Sequence, residues 1–161
     1  MKAAKPDWRL RAYAVVDLDR LIELFRDSIR LGARRDYTPE QLAAWAPDEV
    51  DRERWSLRLA ASSTWVAARG ERVAGFVSLE PEGHIDLLYV DAELQRQGIA
   101  SALLKHLETA ARSRGLARLS TDASLTAKPL FERRGFHVVT VQTVARRGQE
   151  LRNFRMTRQV Y

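Results

Sequence analysis

Between residues 85 and 121 the chain reads strand, helix, strand, and no other feature limits its fold as much. Residues 85–90 form a nearly continuous apolar run, which predicts a strand buried on both faces. Ile99, Leu103, Leu107 and Ala110 then recur at helical spacing over 99–112, and Gly115 closes that helix. Residues 116–121 read as a second short strand. Two strands joined by a helical crossover lie parallel in one sheet.

The flanking segments fit around that pair. Residues 10–16 read as a strand, and Asp17 stands as the N-cap of a helix carrying Leu18, Leu21, Ile22, Phe25 and Ile29 up to Gly32. Thr38-Pro39-Glu40-Gln41 has the cap, first-turn proline and third-position glutamine of a helix start, continued by Leu42, Ala43 and Trp45 until Pro47. A further helix is predicted over 50–60. Strands at 64–68 and 73–79, with turns at 69–72 and 81–83, suggest an antiparallel meander into the central strand. A short helix over 127–134 ends at Gly135, and strands at 138–145 and 151–160 pair about Arg147-Gly148. The expected fold is α/β (α+β): a mixed, mostly antiparallel sheet with a central parallel pair and helices on both faces.

Length and composition set the class. A chain of 161 residues suits a single domain over 1–161, and at about 150 residues a core needs no staple. There is no cysteine, which excludes disulfides, thiolate metal sites and a cysteine nucleophile. No metal is expected. The start, MKAAKPDWRL, lacks a signal-peptide core, and no window approaches the roughly 18 apolar residues of a membrane span. A cytoplasmic protein with no membrane association is the expectation. The formal charge of +6 invites an anionic partner, but basic and acidic residues alternate, as in Glu132-Arg133-Arg134, so no nucleic acid is expected. A small polyphosphate needs only a few of these cations.

The chemistry concentrates where the central strand meets its helix. A polar loop follows Val90, and then Gly98 with Ala100 and Ser101 opens the helix. The first N–H groups of a helix lack internal partners, and the helix dipole makes them an anion site. Gly98 permits close approach, and Arg96 adds a permanent cation. The dinucleotide and P-loop glycine patterns are absent.

Gln95-Arg96-Gln97-Gly98-Ile99-Ala100 resembles the Q/R-x-x-G-x-G/A motif of the GNAT superfamily, the Gcn5-related N-acetyltransferases. Leu88-Tyr89-Val90-Asp91 is similar to the end of that family's fourth strand. The segment from Ser124 through Ala127 and Phe131 to Gly135-Phe136 resembles its N-x-x-A-x-x-x-Y-x-x-x-G-F element. Tyr37-Thr38-Pro39-Glu40-Gln41, Trp45-Ala46, Asp122-Ala123-Ser124 and Asn153-Phe154-x-Met156 point more closely to the YafP-like branch.

The resemblance implies an acetyl-CoA-dependent N-acetyltransferase acting on a primary amine of a small molecule or peptide. It implies that Leu88, Tyr89 and Val90 bind the pantetheine arm through backbone groups. It further implies that Gln95, Arg96, Gln97, Gly98, Ile99, Ala100 and Ser101 surround the pyrophosphate. Ser124, Lys128 and Phe131 would lie near the same cofactor, in a slot where the fourth and fifth strands splay apart. Tyr37, Trp45, Trp55, Arg147 and Asn153 come from regions that build the acceptor site in this fold, with Arg147 suited to a carboxylate or phosphate. A protein acetyltransferase acting on lysine or N-terminal amines, a non-catalytic acyl-CoA sensor and a homodimer all stay open.

The reaction needs a base, because an alkylammonium has a pKa of about 10. Strand alternation places His84, Asp86, Leu88 and Val90 on one face. His84 stands roughly where some family members carry a glutamate base, and Asp86 is the base or the group that orients His84. The N–H of Tyr89 or Val90 is the expected oxyanion donor. Phe131 replaces the tyrosine that often protonates the leaving thiolate, and it has no proton to give. Tyr37 and Tyr89 are the replacement hydroxyls.

Overall fold

The computed structural model describes residues 8–160. Residues 1–7, on which the expectation about a leader rests, and Tyr161 lie outside the described residues. The elements run β1 (Arg9–Ala12), α1 (Leu18–Gly32), α2 (Pro39–Trp45), α3 (Arg52–Ala60), β2 (Ser63–Arg69), β3 (Arg72–Leu79) and β4 (His84–Val90). They continue with α4 (Ile99–Ser113), β5 (Arg118–Ser124), α5 (Lys128–Arg133), β6 (His137–Arg146) and β7 (Gln149–Gln159). Among the described residues the strands form one sheet in the order β1-β2-β3-β4-β5-β7-β6. Every neighbouring pair is antiparallel except β4 and β5, which are joined through α4. The expected mixed sheet and its parallel centre are therefore present.

Apolar residues cover both faces of the sheet. On one face Leu21, Ile22 and Phe25 of α1 join Val66, Phe76 and Leu87. On the other, Leu103, Leu104 and Leu107 of α4 meet Val77, Ile85 and Leu119. Each such fully buried side chain is worth about 1.5–3 kcal/mol, so α1 and α4 are held by their apolar stripes. The stripe of α4 differs slightly from expectation: Leu104 and Ala111 are inside and Ala110 is half-buried. No helix of the described residues is long and apolar enough to cross a membrane.

Among the boundaries that differ from the sequence reading, three have an identifiable cause. The first strand stops at Ala12 rather than residue 16. Asp17 accepts from Arg11 at 2.8 and 2.9 Å and from the Ala14 N–H at 2.9 Å, which bends 15–17 into a 3-10 turn. Its carboxylate is thereby unavailable to cap α1, and the Arg11 hydrogen bond holds its pKa below the ordinary value. The third helix starts at Arg52, because Asp51 Oδ1 accepts from the Arg54 N–H at 3.0 Å. Strand β5 runs on to Ser124 instead of ending at residue 121, because β7 pairs with it as far as Ser124↔Asn153. Tertiary pairing overrides the weak strand propensity of Asp122 and Ser124.

The start of α2 is as expected. Thr38 Oγ1 accepts from the Gln41 N–H at 3.1 Å, and Gln41 Oε1 accepts from the Thr38 N–H at 2.9 Å. Gln41 Nε2 also donates to the Glu150 carbonyl, so the cap ties α2 to β7.

Candidate active site

Strand β4 carries a defect that reorients its side chains. Ser78 pairs with Leu87 but Leu79 pairs with Ile85, which leaves Asp86 as an extra residue, a β-bulge. The expected face of His84, Asp86, Leu88 and Val90 is therefore corrected. His84, Asp86, Leu87 and Tyr89 turn to the α1–α3 side, while Ile85, Leu88 and Val90 pack toward α4. Alternation fails because one inserted residue inverts every position beyond it.

The bulge also sets the backbone. The Asp91 N–H donates to the Ala74 carbonyl at 2.8 Å, and the register pairs Phe76 with Tyr89. Alternation along an antiparallel ladder then turns the Tyr89 N–H toward Phe76 and leaves those of Leu88 and Val90 on the opposite edge. On that edge, the pairing of β4 with β5 consists of His84↔Ser120 and Ile85↔Thr121 alone. Beyond Ile85 the edge of β4 is open. Of the two proposed oxyanion donors, the Val90 N–H meets no acceptor among the described residues, whereas that of Tyr89 faces β3.

The loop after β4 is braced from within. Gln95 Nε2 donates to the Val90 carbonyl at 3.1 Å, so this side chain holds the loop instead of facing a ligand. Asp91 accepts from Arg20 of α1 at 2.8 Å. Arg96 (φ 65°) and Gly98 (φ 78°) both take left-handed conformations, and residues 95–98 are exposed. Among the described residues no acceptor meets the N–H groups of Gln97, Gly98, Ile99, Ala100 or Ser101. A Cβ on Gly98 would meet no atom within 4 Å, so the space beside these donors is empty. The donors and the space suit a phosphate group.

On the other side of the sheet lies a cleft of about 1260 Å³, walled by α2, α3 and the β6–β7 hairpin. His84 Nδ1 lies 2.9 Å from Ser120 Oγ, and Nε2 lies 3.7 Å from Asp122 Oδ2. Asp122 is itself held by Arg155 at 2.7 Å and by Gln142 at 2.9 Å. Asp86 is committed differently: Arg58 of α3 donates to both its oxygens, at 2.6 and 2.7 Å. Arg58, Ser120, Asp122 and Arg155 were not expected to act at the site; the pairing of β5 with β4 and β7 and the packing of α3 on β4 bring them to His84 and Asp86. At the turn before β4, burial first, and then the hydrogen bond that protonated Glu80 donates to Glu82, push the Glu80 carboxyl up to about 7.

The remaining candidates divide. Trp45 lines the cleft and stacks edge-on against Tyr37, with ring centroids 5.4 Å apart. Asn153 also lines it and accepts from Gln142 at 2.9 Å. Arg147 is no loose hairpin tip: its Nη1 donates to the Ala44 carbonyl at 2.7 Å, closing the hairpin onto α2. Ser124 faces the cleft, and its Oγ accepts from the Ala127 N–H at 3.0 Å. Lys128 lies 3.7 Å from Glu132 and 4.9 Å from the Phe154 ring centroid. Phe131 is buried against Phe136 and faces no open surface. Tyr89 packs between Phe25 and Phe76, and burial raises the pKa of its hydroxyl.

Tyr37 is a strut. Its hydroxyl donates to the Arg152 carbonyl at 2.7 Å and accepts from the Leu125 N–H at 2.9 Å. Both bonds would be lost in Tyr37→Phe, and two backbone groups would lose partners. That substitution should cost about 1–3 kcal/mol, read as a lowered midpoint in thermal or urea unfolding. An unchanged midpoint would show that Tyr37 is free to serve a substrate.

A family model described as an acetyltransferase (GNAT) domain matches residues 33–158. The uncharacterized N-acetyltransferase YafP of Escherichia coli (strain K12) is 41% identical over 148 residues, covering 92% of this chain and 93% of that protein. The crystal structure of a GCN5-related N-acetyltransferase from Rhodopseudomonas palustris, also called "Aminotransferase, Class-II", superposes with a TM-score of 0.92 at 31% identity, over 99% of both chains. PaiA N-acetyltransferase of Thermoplasma acidophilum, solved in complex with coenzyme A, shares the fold at a TM-score of 0.74 and 18% identity, over 96% of this chain and 99% of that one. With its single parallel strand pair, open β4 edge and these relatives, the chain belongs to the GNAT family of acetyltransferases, in its YafP-like branch.

Proposed function

We propose that the enzyme transfers acetyl from acetyl-CoA to a primary amine of a small molecule or peptide, by direct attack of the amine on the thioester. One observation carries this reading. Beyond Ile85 the edge of β4 is unpaired, and among the described residues this open edge runs from the cleft that His84 lines toward N–H donors without acceptors at the start of α4. A long cosubstrate can lie with its phosphates at one end and its reactive end at the other.

The residues divide the work as follows. The N–H groups from Gln97 to Ser101, with Arg96 beside them, hold the pyrophosphate. The open edge at Leu88 and Val90 offers backbone partners to the amide groups of the pantetheine arm. His84 is the base: with Nδ1–H donating to Ser120, Nε2 keeps its lone pair for the amine proton, which reaches it through water because His84 and Val90 stand roughly 20 Å apart along β4. Asp122 faces the same nitrogen and favours the imidazolium that forms. The amine nitrogen bonds to the acetyl carbon, the carbonyl oxygen takes charge opposite the Val90 N–H, and the carbon–sulfur bond breaks. The Tyr89 hydroxyl, its pKa raised by burial, belongs to a ring packed between Phe25 and Phe76, and we do not assign it the role of the missing tyrosine. The sulfur leaves as thiolate and takes its proton from solvent. Asp86 is a positioning residue, since both its oxygens are spent on Arg58. We further take residues 1–161 as one domain of a cytoplasmic protein.

The cosubstrate site is tested at Gly98. Gly98→Val puts a branched side chain into the empty space and into a left-handed conformation that valine resists. Acetyl-CoA affinity should fall by at least about tenfold in calorimetric titration, which is about 1.4 kcal/mol. Unaltered affinity would move the phosphate site elsewhere. Binding of acetyl-CoA with no thiol release across a broad amine panel would favour the sensor reading, which Phe131 supports.

A further inference from the structure

We propose that the acceptor carries an anionic group, a carboxylate or a phosphate, bound by arginines at the mouth of the cleft; this rests on the acetyltransferase reading of that cleft. The cleft floor is neutralised internally. Asp86 is paired with Arg58, and Asp122 with Arg155. The walls are different. Arg54 on α3, Arg146 and Arg147 at the hairpin tip, and Arg152 on β7 all line the cleft. Among the described residues none of these four has a carboxylate within ion-pair distance.

The opposing charges in the lining are Glu49 and Asp51, and Asp51 already accepts from the Arg54 N–H as the cap of α3. Glu150 lies outside the lining. The free charge of the walls is therefore positive. Elsewhere the chain pairs its arginines readily, as with Arg11, Arg20, Arg30 and Arg52.

The hairpin tip supports the same conclusion independently. Arg147 holds a left-handed φ of 45°, which a turn of this kind ordinarily gives to asparagine or glycine. Its Nη1 is fixed on the Ala44 carbonyl, while its other guanidinium donors have no partner among the described residues. The backbone keeps a cation where a glycine would fit better. A fixed guanidinium with free donors recognises a carboxylate or phosphate in bidentate fashion. A polyamine or a lysine within a basic peptide would instead meet repulsion at these walls.

The test uses matched amine pairs that differ only in an acidic group: a free carboxylate against its primary amide, and a phosphomonoester against its alcohol. Each member is scored by thiol release with acetyl-CoA and by calorimetric binding to CoA-saturated enzyme. The anionic member should show kcat/KM at least about tenfold higher, and its advantage should shrink with added salt. Arg152→Gln, at an exposed position, should remove most of that advantage, and Arg152→Lys should restore part of it. The loss on the anionic member should exceed any loss on the neutral one. The carboxylate and phosphate arms separate the two sources of charge. Equal or better use of the neutral members would overturn the inference and leave the acetyltransferase reading intact. Tighter binding of anionic members without turnover would do the opposite. No binding and no turnover by any member would end both.

Discussion

His84→Ala is expected to lower kcat by about 10²–10⁴, the usual contribution of a positioned base, while acetyl-CoA affinity changes by less than about twofold. The two readouts separate because His84 sits on the α1–α3 side of β4, whereas the phosphate donors lie beyond Val90 on the α4 side. Thiol release under saturating amine gives kcat, and calorimetry gives the affinity. The same assay ranks the neighbours. Asp122→Asn should give a smaller loss, since Asp122 acts on His84 from 3.7 Å and not on the amine. Asp86→Asn should act through Arg58, whose guanidinium loses a bidentate partner, and should raise the acceptor KM as well as lower kcat. A competing base exists in the Glu80–Glu82 pair, with Glu80 near 7. If Glu80→Gln abolishes turnover and His84→Ala does not, the base belongs to that pair. Glu80 is outside the cleft lining, and for that geometric reason His84 is preferred.

The order of elements could be read from the sequence because most helix and turn signals agreed with the tertiary outcome. Thr38 and Gln41 form the expected box, and Gly98 and Gly115 flank α4 as written. What escaped was produced by contacts across the sheet. The bulge at Asp86 leaves no mark on an apolar run, yet it decides which of His84, Tyr89 and Val90 can share a task. Arg58 reads as an ordinary surface residue of a helix, and only the packing of α3 on β4 gives it Asp86. Gln95 shows the converse. Its place in a recognisable motif suggested a ligand, but its amide spans the loop to the Val90 carbonyl. Motif spacing located the glycine turn and the start of α4 well because glycine and helix starts are local. It assigned individual side chains poorly because their partners are distant in sequence.

Glu108 gives the largest expected stability effect, and nothing in its local sequence announces it. It lies on the buried side of α4, 6% exposed at its side chain, and accepts from Arg134 Nη2 at 2.7 Å. Arg158 of β7 pairs with its other oxygen. One carboxylate thus ties α4 to the residue after α5 and to the sheet. Glu108→Ala would leave two guanidinium groups beside each other with no counter-charge, and breaking such a pair from one side costs about 3–5 kcal/mol. Arg134 and Arg158 are 28% and 23% exposed, so water can recover part of this, which favours the lower end. At about 2–4 °C per kcal/mol for a domain of this size, the melting temperature should drop by roughly 6–12 °C. Removing all three charges together, as in Glu108→Leu with Arg134→Met and Arg158→Leu, should cost less than Glu108→Ala alone. The triple change deletes the repulsion along with the attraction and leaves no orphaned charge. If instead the triple variant is the least stable, the triad contributes net attraction after desolvation, and α5 is held by charge more than by the packing of Phe131 on Phe136.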